Sequence, residues 1–407
     1  MEKIAKDRYE GRLKKGQLSE DYIRRSYAEL NDAASQGYGS GWLKVNGETG
    51  APSQQTLKLQ QNLWKFSGAK SYAVLEEINH LLTKDGKPAG WEQFKNDVMK
   101  LNPRYNQNYL QAEWQTAKQA AKMAANWEAY QRNKELYPNL EFRTQNDSRV
   151  RDAHRILHGI VKPLDDDFWK SYFPPLGWRC RCYTVQTAAK PTETPVPELS
   201  PKDFPLEFRN NVGISGEIFK ETDENKGKPH PYFALSKNAD NETKKAFEYS
   251  KLAAPLTVRY TAKNGAEVRV SPFTDTRPDE LIANYRIAVL LAEREGLNMD
   301  LVAKLDGHVI KEPNPEYLIN KTIKADRKAP LSKDYTKTLS KANKQGCEVV
   351  IYDLSKNNDD VENAMKILTR LLSRKAKGEI MHPNIKEVYI ISADRKVIEH
   401  FIREKAD

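Results

Sequence analysis

Long apolar stretches are missing from this chain. None of its 407 residues fall in a run approaching the roughly 18 apolar residues that a membrane-spanning helix needs, so no membrane span is expected. Cysteine is scarce, at three residues, and that excludes a disulfide framework as the basis of the fold. The opening MEKIAKDRYEGRLKKGQ is charged and lacks the apolar centre of a secretory signal, which predicts a chain made and kept in a reducing cytoplasm. No internal repeat is visible, so a solenoid or propeller is not expected.

What is present is polar and basic. Hydrophobic residues make up 39% and charged residues 30%, enough for modest cores with polar connections. The 66 Lys and Arg outnumber the 56 Asp and Glu, for a net charge of +10. Excess positive charge favours polyanionic partners, nucleic acid first among them, although a mixed surface of this kind also serves solubility. The length suggests two or three domains. Residues 1–140 read as mainly helical. The Ala-rich stretch 109–138 carries Trp114, Ala117, Ala121 and Ala124 at helical spacing, a packing stripe. The Gly- and Ser-rich residues 33–55 read as a loop. Five prolines in 191–205 and the polar residues after them predict a connector over 190–255, with too few apolar residues for a core of its own and free to drape on its neighbours. Beyond it, 256–407 alternates strands and helices. A hairpin turns at Asn264–Gly265, a helix spans about 278–295 and closes at Gly296, and the apolar VVIYDL reads as a central strand.

The richest segment is 146–182. His154 and His158 are four apart, and so share a face if helical. Cys180 and Cys182 are two apart, and so share a face if extended. Together they form a Cys2His2 set of the kind that closes a tetrahedral structural zinc site. Ordinary packing, or a thiol redox role, remains open for the same residues. Arg179 and Arg181 fit a strand edge that meets solvent or an acidic partner. The ordered string RVRDAH, HG, DDDFW and PPLGWRCRC, with weaker likeness in NLWKFSGAK (62–70) and the Ala-rich helix, resembles the Mu F-like phage head morphogenesis proteins. That resemblance implies a minor head protein near the portal of a tailed phage, with portal and capsid proteins as partners. Its place would be the virion or the bacterial host cytoplasm.

A second constellation lies in NPEYLINKTIKADRKAP (314–330). Two short strands joined by an Asn–Lys turn would bring Glu316 beside Asp326, where two carboxylates can hold a divalent cation such as Mg2+. Lys328 lies on the same strand face as Asp326, placed to act on water or on a pentavalent phosphorus. Lys337, Lys341 and Lys344 recur along one helix face, suited to a phosphate backbone, and aromatics for base stacking are few nearby. A surface hairpin with a plain Asp–Lys pair stays open. So does a metal-independent ribonuclease using Lys328 with His308 or a nearby Arg. The Glu–Asp–Lys arrangement resembles the PD-(D/E)xK nuclease superfamily, with Glu in the first position. The region 256–403 as a whole resembles the nuclease modules of contact-dependent inhibition and other polymorphic toxins, especially those that cleave transfer RNA.

The expectation is therefore a multidomain protein. A mainly α Mu F-like head morphogenesis domain (1–189) precedes a Pro-rich and polar linker (190–255). A C-terminal α/β PD-(D/E)xK-like nuclease domain (256–407) follows. The resemblances imply a metal-dependent endonuclease acting on transfer RNA or DNA, with a cognate immunity protein. The competing expectation is a purely structural head-assembly or DNA-packaging protein whose C-terminal module binds without catalysis.

Overall fold

The computed structural model describes every residue except 48–49, 85–86, 194, 313, 377–378 and 404–407. It divides into two compact units, residues 1–44 with 53–253, and residues 45–52 with 254–407.

The first unit is mainly helical. Its principal helices are α1 (Glu20–Tyr38), α2 (Gln54–Leu81) and α3 (Leu110–Arg132). Ser19 and Ser53 cap α1 and α2 by accepting from the backbone N–H of Tyr22 and Thr56. Helix α1 runs on through the stretch expected to be loop, as far as Tyr38. Gly37 is what lets it do so beside α3, because a Cβ there would lie 1.9 Å from the Lys118 carbonyl oxygen. Lys70 of α2 and Glu113 of α3, both fully buried, are joined at 2.6 Å, and the Lys70 ammonium also donates to the Tyr105 carbonyl. Burial alone would lower the lysine and raise the glutamate; leaving either partner unpaired there would be strongly destabilising.

A three-stranded antiparallel sheet follows, β1 (Asn139–Arg143) between β2 (Val161–Pro163) and β3 (Tyr183–Thr187). A four-residue helix, α4 (Asp152–Arg155), lies between β1 and β2.

The segment expected as a connector differs from that reading. Leu199, Phe204, Phe208, Val212, Ile218, Phe219 and Phe233 are all buried. Phe219 stacks on Phe66 of α2 at 3.8 Å. The Asn62 side chain both donates to and accepts from the Phe219 backbone at 2.8 Å. Single aromatics spaced among polar residues supply the anchors, so the average composition of the stretch hides them.

The second unit is α/β. Eight of its strands lie in one mixed sheet in chain order: β4 (Thr257–Thr261), β5 (Glu267–Val270), β6 (Met299–Leu301), β7 (Tyr317–Ile319), β8 (Ile323–Lys328), β9 (Val349–Asp353), β10 (Glu387–Ile391) and β11 (Ile398–Ile402), and a short antiparallel pair, Lys375–Ala376 with Glu379–Ile380, stands outside it. The three parallel pairs, β5–β6, β8–β9 and β9–β10, are each spanned by a helix: α5 (Pro278–Glu295), α6 (Thr336–Lys344) and α7 (Val361–Leu372). Gly265 in the β4–β5 turn and Gly296 after α5 hold positive φ, as their hairpin and helix-end roles require. Strand β9 is buried along its whole length and packs with Leu339, Leu368 and Val388.

Candidate functional sites

In the first unit, His154 sits on α4, and Cys180 and Cys182 lie just ahead of β3, where the Cys180 backbone N–H closes a turn by donating to the Gly177 carbonyl at 3.1 Å. All three are buried. The sulfurs of Cys180 and Cys182 each lie 3.7 Å from His154 Nδ1. In a tetrahedral zinc site the sulfur-to-nitrogen edge is about 3.6 Å, from metal bonds of about 2.3 and 2.05 Å. Both sulfur-to-nitrogen spacings therefore match a metal-bound set, and all three ligand atoms lie within 4.8 Å of one another. His154 Nε2 is buried without a hydrogen-bond partner. The two thiols are strongly coupled. Cys180 is held well below the usual thiol range by its hydrogen bond with Cys182 and by His154, against burial, while Cys182 is pushed up by the same bond and by burial.

The structure does not bring His158 into this cluster. Helix α4 ends at Arg155, so the i,i+4 relation of the two histidines is lost. The His158 Nδ1 instead accepts from the Thr144 backbone N–H at 3.2 Å and lies 2.8 Å from the Thr144 hydroxyl.

The cluster borders a cavity of about 790 Å³ that is also lined by Lys118, Lys122, Arg149, Arg151, Arg179 and Arg181. Arg181 meets an acidic partner, forming a two-pronged pair with Asp147 at 2.7 and 2.8 Å. This pairing pulls the Asp147 carboxyl down to about 2. The arginines are conspicuous in the sequence, but their convergence with α3 lysines is not, because it depends on how α3 crosses the β1–β3 sheet.

In the second unit, the register that pairs Tyr317 with Ala325 carries Glu316 alongside Asp326. Asn320 and Lys321 both hold positive φ and, with Thr322, form the three-residue loop between the paired Ile319 and Ile323. Glu316, Asp326 and Lys328 line a single cavity of about 650 Å³. Lys328 Nζ bonds Asp326 Oδ2 and donates to Gln345 Oε1 at 3.0 Å. Asp326 is almost fully buried, and its Oδ1 has no hydrogen-bond partner. Burial, and then the neighbouring Asp326, push the Glu316 carboxyl up to about 7. Such a pair holds a proton as pH falls below about 7 unless a cation replaces it.

Arg327, between Asp326 and Lys328, serves the opposite face. It donates to Asn284 and Glu280 at 2.6 Å and reaches Asp353 at 3.2 Å, clamping α5 and β9 to β8. Of the three α6 lysines, all exposed, Lys341 lines the cavity. His308 is exposed and is not among the lining residues.

Sequence reasoning missed Gln345, which carries no motif, and the trio of Asp275, Arg277 and Lys304. Burial raises the Asp275 carboxyl, but hydrogen bonds from Arg277 and Lys304 outweigh it and hold the group low. A DTR triplet just ahead of α5 was the available signal.

Residues 47–185 match the family model described as Phage Mu protein F like protein. The chain is 29% identical over 141 residues to the Mu-like prophage FluMu F protein of Haemophilus influenzae, covering 33% of each chain. It is 44% identical over 48 residues to the putative capsid assembly protein F of Escherichia phage Mu, covering 12% of this chain and 11% of that one. The chain thus spans a third or less of the length of these relatives. Among solved structures, a chain of the CdiA-CT/CdiI toxin and immunity complex from Burkholderia pseudomallei is similar at 18% identity, over 31% of this chain and 86% of that one. Its TM-score of 0.24 is too low to establish a shared fold. No helix among the described residues is long and apolar enough to cross a membrane.

Proposed function

We propose that this chain is a minor head protein of a tailed phage or prophage whose second unit is a metal-dependent nuclease. The observation that carries the nuclease reading is the meeting of Glu316, Asp326 and Lys328 in one cavity, with a buried Asp326 oxygen that lacks a partner. A divalent cation such as Mg2+ held by Glu316 and Asp326 would satisfy that oxygen and supply Lewis-acid stabilisation of a phosphodiester. Lys328, fixed by Asp326 and Gln345, is placed to orient water or meet charge on phosphorus. This is the PD-(D/E)xK pattern with Glu first. Lys341 at the rim, with Lys337 and Lys344 on the same helix face, would guide the polyanion, RNA before DNA, with transfer RNA the first choice. A nuclease made inside its host must be held in check there, so an immunity protein belongs to this reading. In the first unit, zinc held by His154, Cys180 and Cys182 would pin α4 to β3, and the family match over 47–185 supports portal and capsid proteins as partners.

The deciding experiment incubates the purified full chain with transfer RNA and with duplex DNA, with Mg2+ and with chelator. Cleavage that requires the cation and is lost in Asp326→Asn is expected. Cleavage that survives chelator but needs Lys328 would favour a metal-independent ribonuclease, for which Arg277 lines the cavity and His308 does not. No cleavage of either substrate would leave a binding module of a structural head protein.

A further inference from the structure

Four ligands close a structural zinc site, yet the cluster here brings together three. His154, Cys180 and Cys182 form the metal-type group, and His158, the fourth residue the sequence offered, is turned to Thr144. Three protein ligands leave one tetrahedral corner to a ligand from outside, the arrangement of zinc sites that bind or process something. All three side chains border the 790 Å³ cavity, so an incoming ligand has a route.

The wall of that cavity says what the ligand is. Six cationic side chains line it: Lys118, Lys122, Arg149, Arg151, Arg179 and Arg181. No carboxylate and no histidine besides His154 is among the described lining residues. Arg181 is partly neutralised by Asp147, which also lies 3.7 Å from the Arg149 guanidinium, and Arg151 is steadied by donating to the Trp178 carbonyl at 2.6 Å. Lys118 lies over the Trp114 ring and donates to Gln36. Guanidinium groups converging on one space match the oxygens of a phosphate, and several of them exceed what a single carboxylate can use. The lining also offers no side chain to act as general base toward metal-bound water, which favours binding over hydrolysis.

Resting on the metal reading above, we propose that the His154–Cys180–Cys182 centre is open, and that its fourth ligand is a phosphate oxygen delivered through the arginine-lined cavity. The metal and the guanidinium groups would then grip one phosphate together, the metal fixing its position and the arginines its charge.

The test uses the full chain loaded with Co2+ in place of zinc, followed by its visible spectrum and by ³¹P line broadening. With inorganic phosphate as the probe, the cobalt bands should shift and the ³¹P signal should broaden strongly, because only a directly ligated phosphate sits next to the paramagnetic ion. Arg149→Ala and Lys122→Ala should each weaken phosphate about tenfold. A short single-stranded oligonucleotide is the second arm. If it displaces inorganic phosphate, the natural source is a nucleic-acid backbone; if it does not, the source is a small phosphate compound, and the proposal stands in either case. A chain that takes up no metal overturns the metal reading and this one with it. A chain that takes up metal, but whose cobalt spectrum and ³¹P line ignore phosphate, overturns this one alone. So does X-ray absorption showing a second nitrogen ligand that disappears in His158→Ala.

Discussion

The two candidate sites of this molecule are cavities built from opposite chemistry. The one in the first unit has soft ligands, two sulfurs and an imidazole, ringed by cations without a carboxylate among the described lining residues. The one in the second unit has hard oxygen ligands, Glu316 and Asp326, set among cations and further acids. Thiolates and imidazole suit zinc, and carboxylates suit magnesium or manganese. As proposed above, the first arrangement would hold a metal and an anion with no base among its described lining residues to activate water. The second has a lysine beside the carboxylates and a protonatable glutamate. The contrast teaches that a metal-type cluster does not by itself imply catalysis; the groups around it decide whether bound water or phosphate can react.

The sharpest way to break that comparison is to remove the hard ligands. Asp326→Asn keeps the volume and burial but withdraws a charged oxygen from the cation. It should lower cleavage by the full chain about a thousandfold, equivalent to several kcal/mol of transition-state stabilisation. Lys328→Ala should lower cleavage to a similar degree, while Mg2+ affinity, measured by calorimetry, falls far less. If both variants cleave like the wild type, the second cavity is not a catalytic site.

Removing the soft ligands should act on stability rather than on cleavage. Cys180→Ser combined with Cys182→Ser should abolish about one bound zinc per chain and lower the melting temperature of the first unit, because structural metal affinity is folding free energy. His158→Ala should leave the metal content unchanged. Zinc lost on His158→Ala would mean that the site closes around a fourth protein ligand in solution.

Acidity should separate the two sites as well. Glu316 has a folded pKa of about 7, raised above its ordinary value by burial and by Asp326. Between about pH 4.5 and 7 the folded state therefore holds a proton that the unfolded state has released. In chelator, this group's contribution to stability is present below its unfolded pKa and is lost as pH rises through about 7. Glu316→Gln should remove that slope, and saturating Mg2+ should flatten it, since the cation takes the proton's place. Mg2+ binding should in turn weaken as pH falls below about 7. A stability profile identical in wild type and Glu316→Gln would count against a shared proton at this pair.

Some of this was legible in residues alone. The Asn264–Gly265 hairpin, the α5 stop at Gly296 and the buried β9 follow from local rules, whereas the Glu316–Asp326 pairing depends on the loop from Asn320 to Thr322 having three residues, since one residue fewer would set Glu316 opposite Ala325. What escaped depends on distant packing. Gly37 is a helix residue because α3 passes within reach of it. Phe219 reads as linker until Asn62 and Phe66 are known to hold it. His158 reads as a ligand because α4 looks, in sequence, longer than the four residues it has. Gln345 has no signature at all, being placed by the end of α6 above β8.

The smallest effect expected concerns the basic face of α6. Lys337, Lys341 and Lys344 are exposed and lie along one side of a nine-residue helix. Exposed lysines contribute to polyanion binding mainly by releasing counterions, so their energy depends on salt and not on substrate sequence. Changing all three to Ala should weaken RNA binding by the full chain and reduce the slope of log affinity against log salt by about 2 to 3. Cleavage at saturating RNA should stay within a few-fold of the wild type, because the carboxylates and Lys328 are untouched. Of the single changes, Lys341→Ala should be the largest, since Lys341 alone of the three lines the cavity. Equal effects from all three would mean that the helix acts as a diffuse charged surface. No change in salt slope would place the polyanion elsewhere and send the search back to the arginine-lined cavity of the first unit.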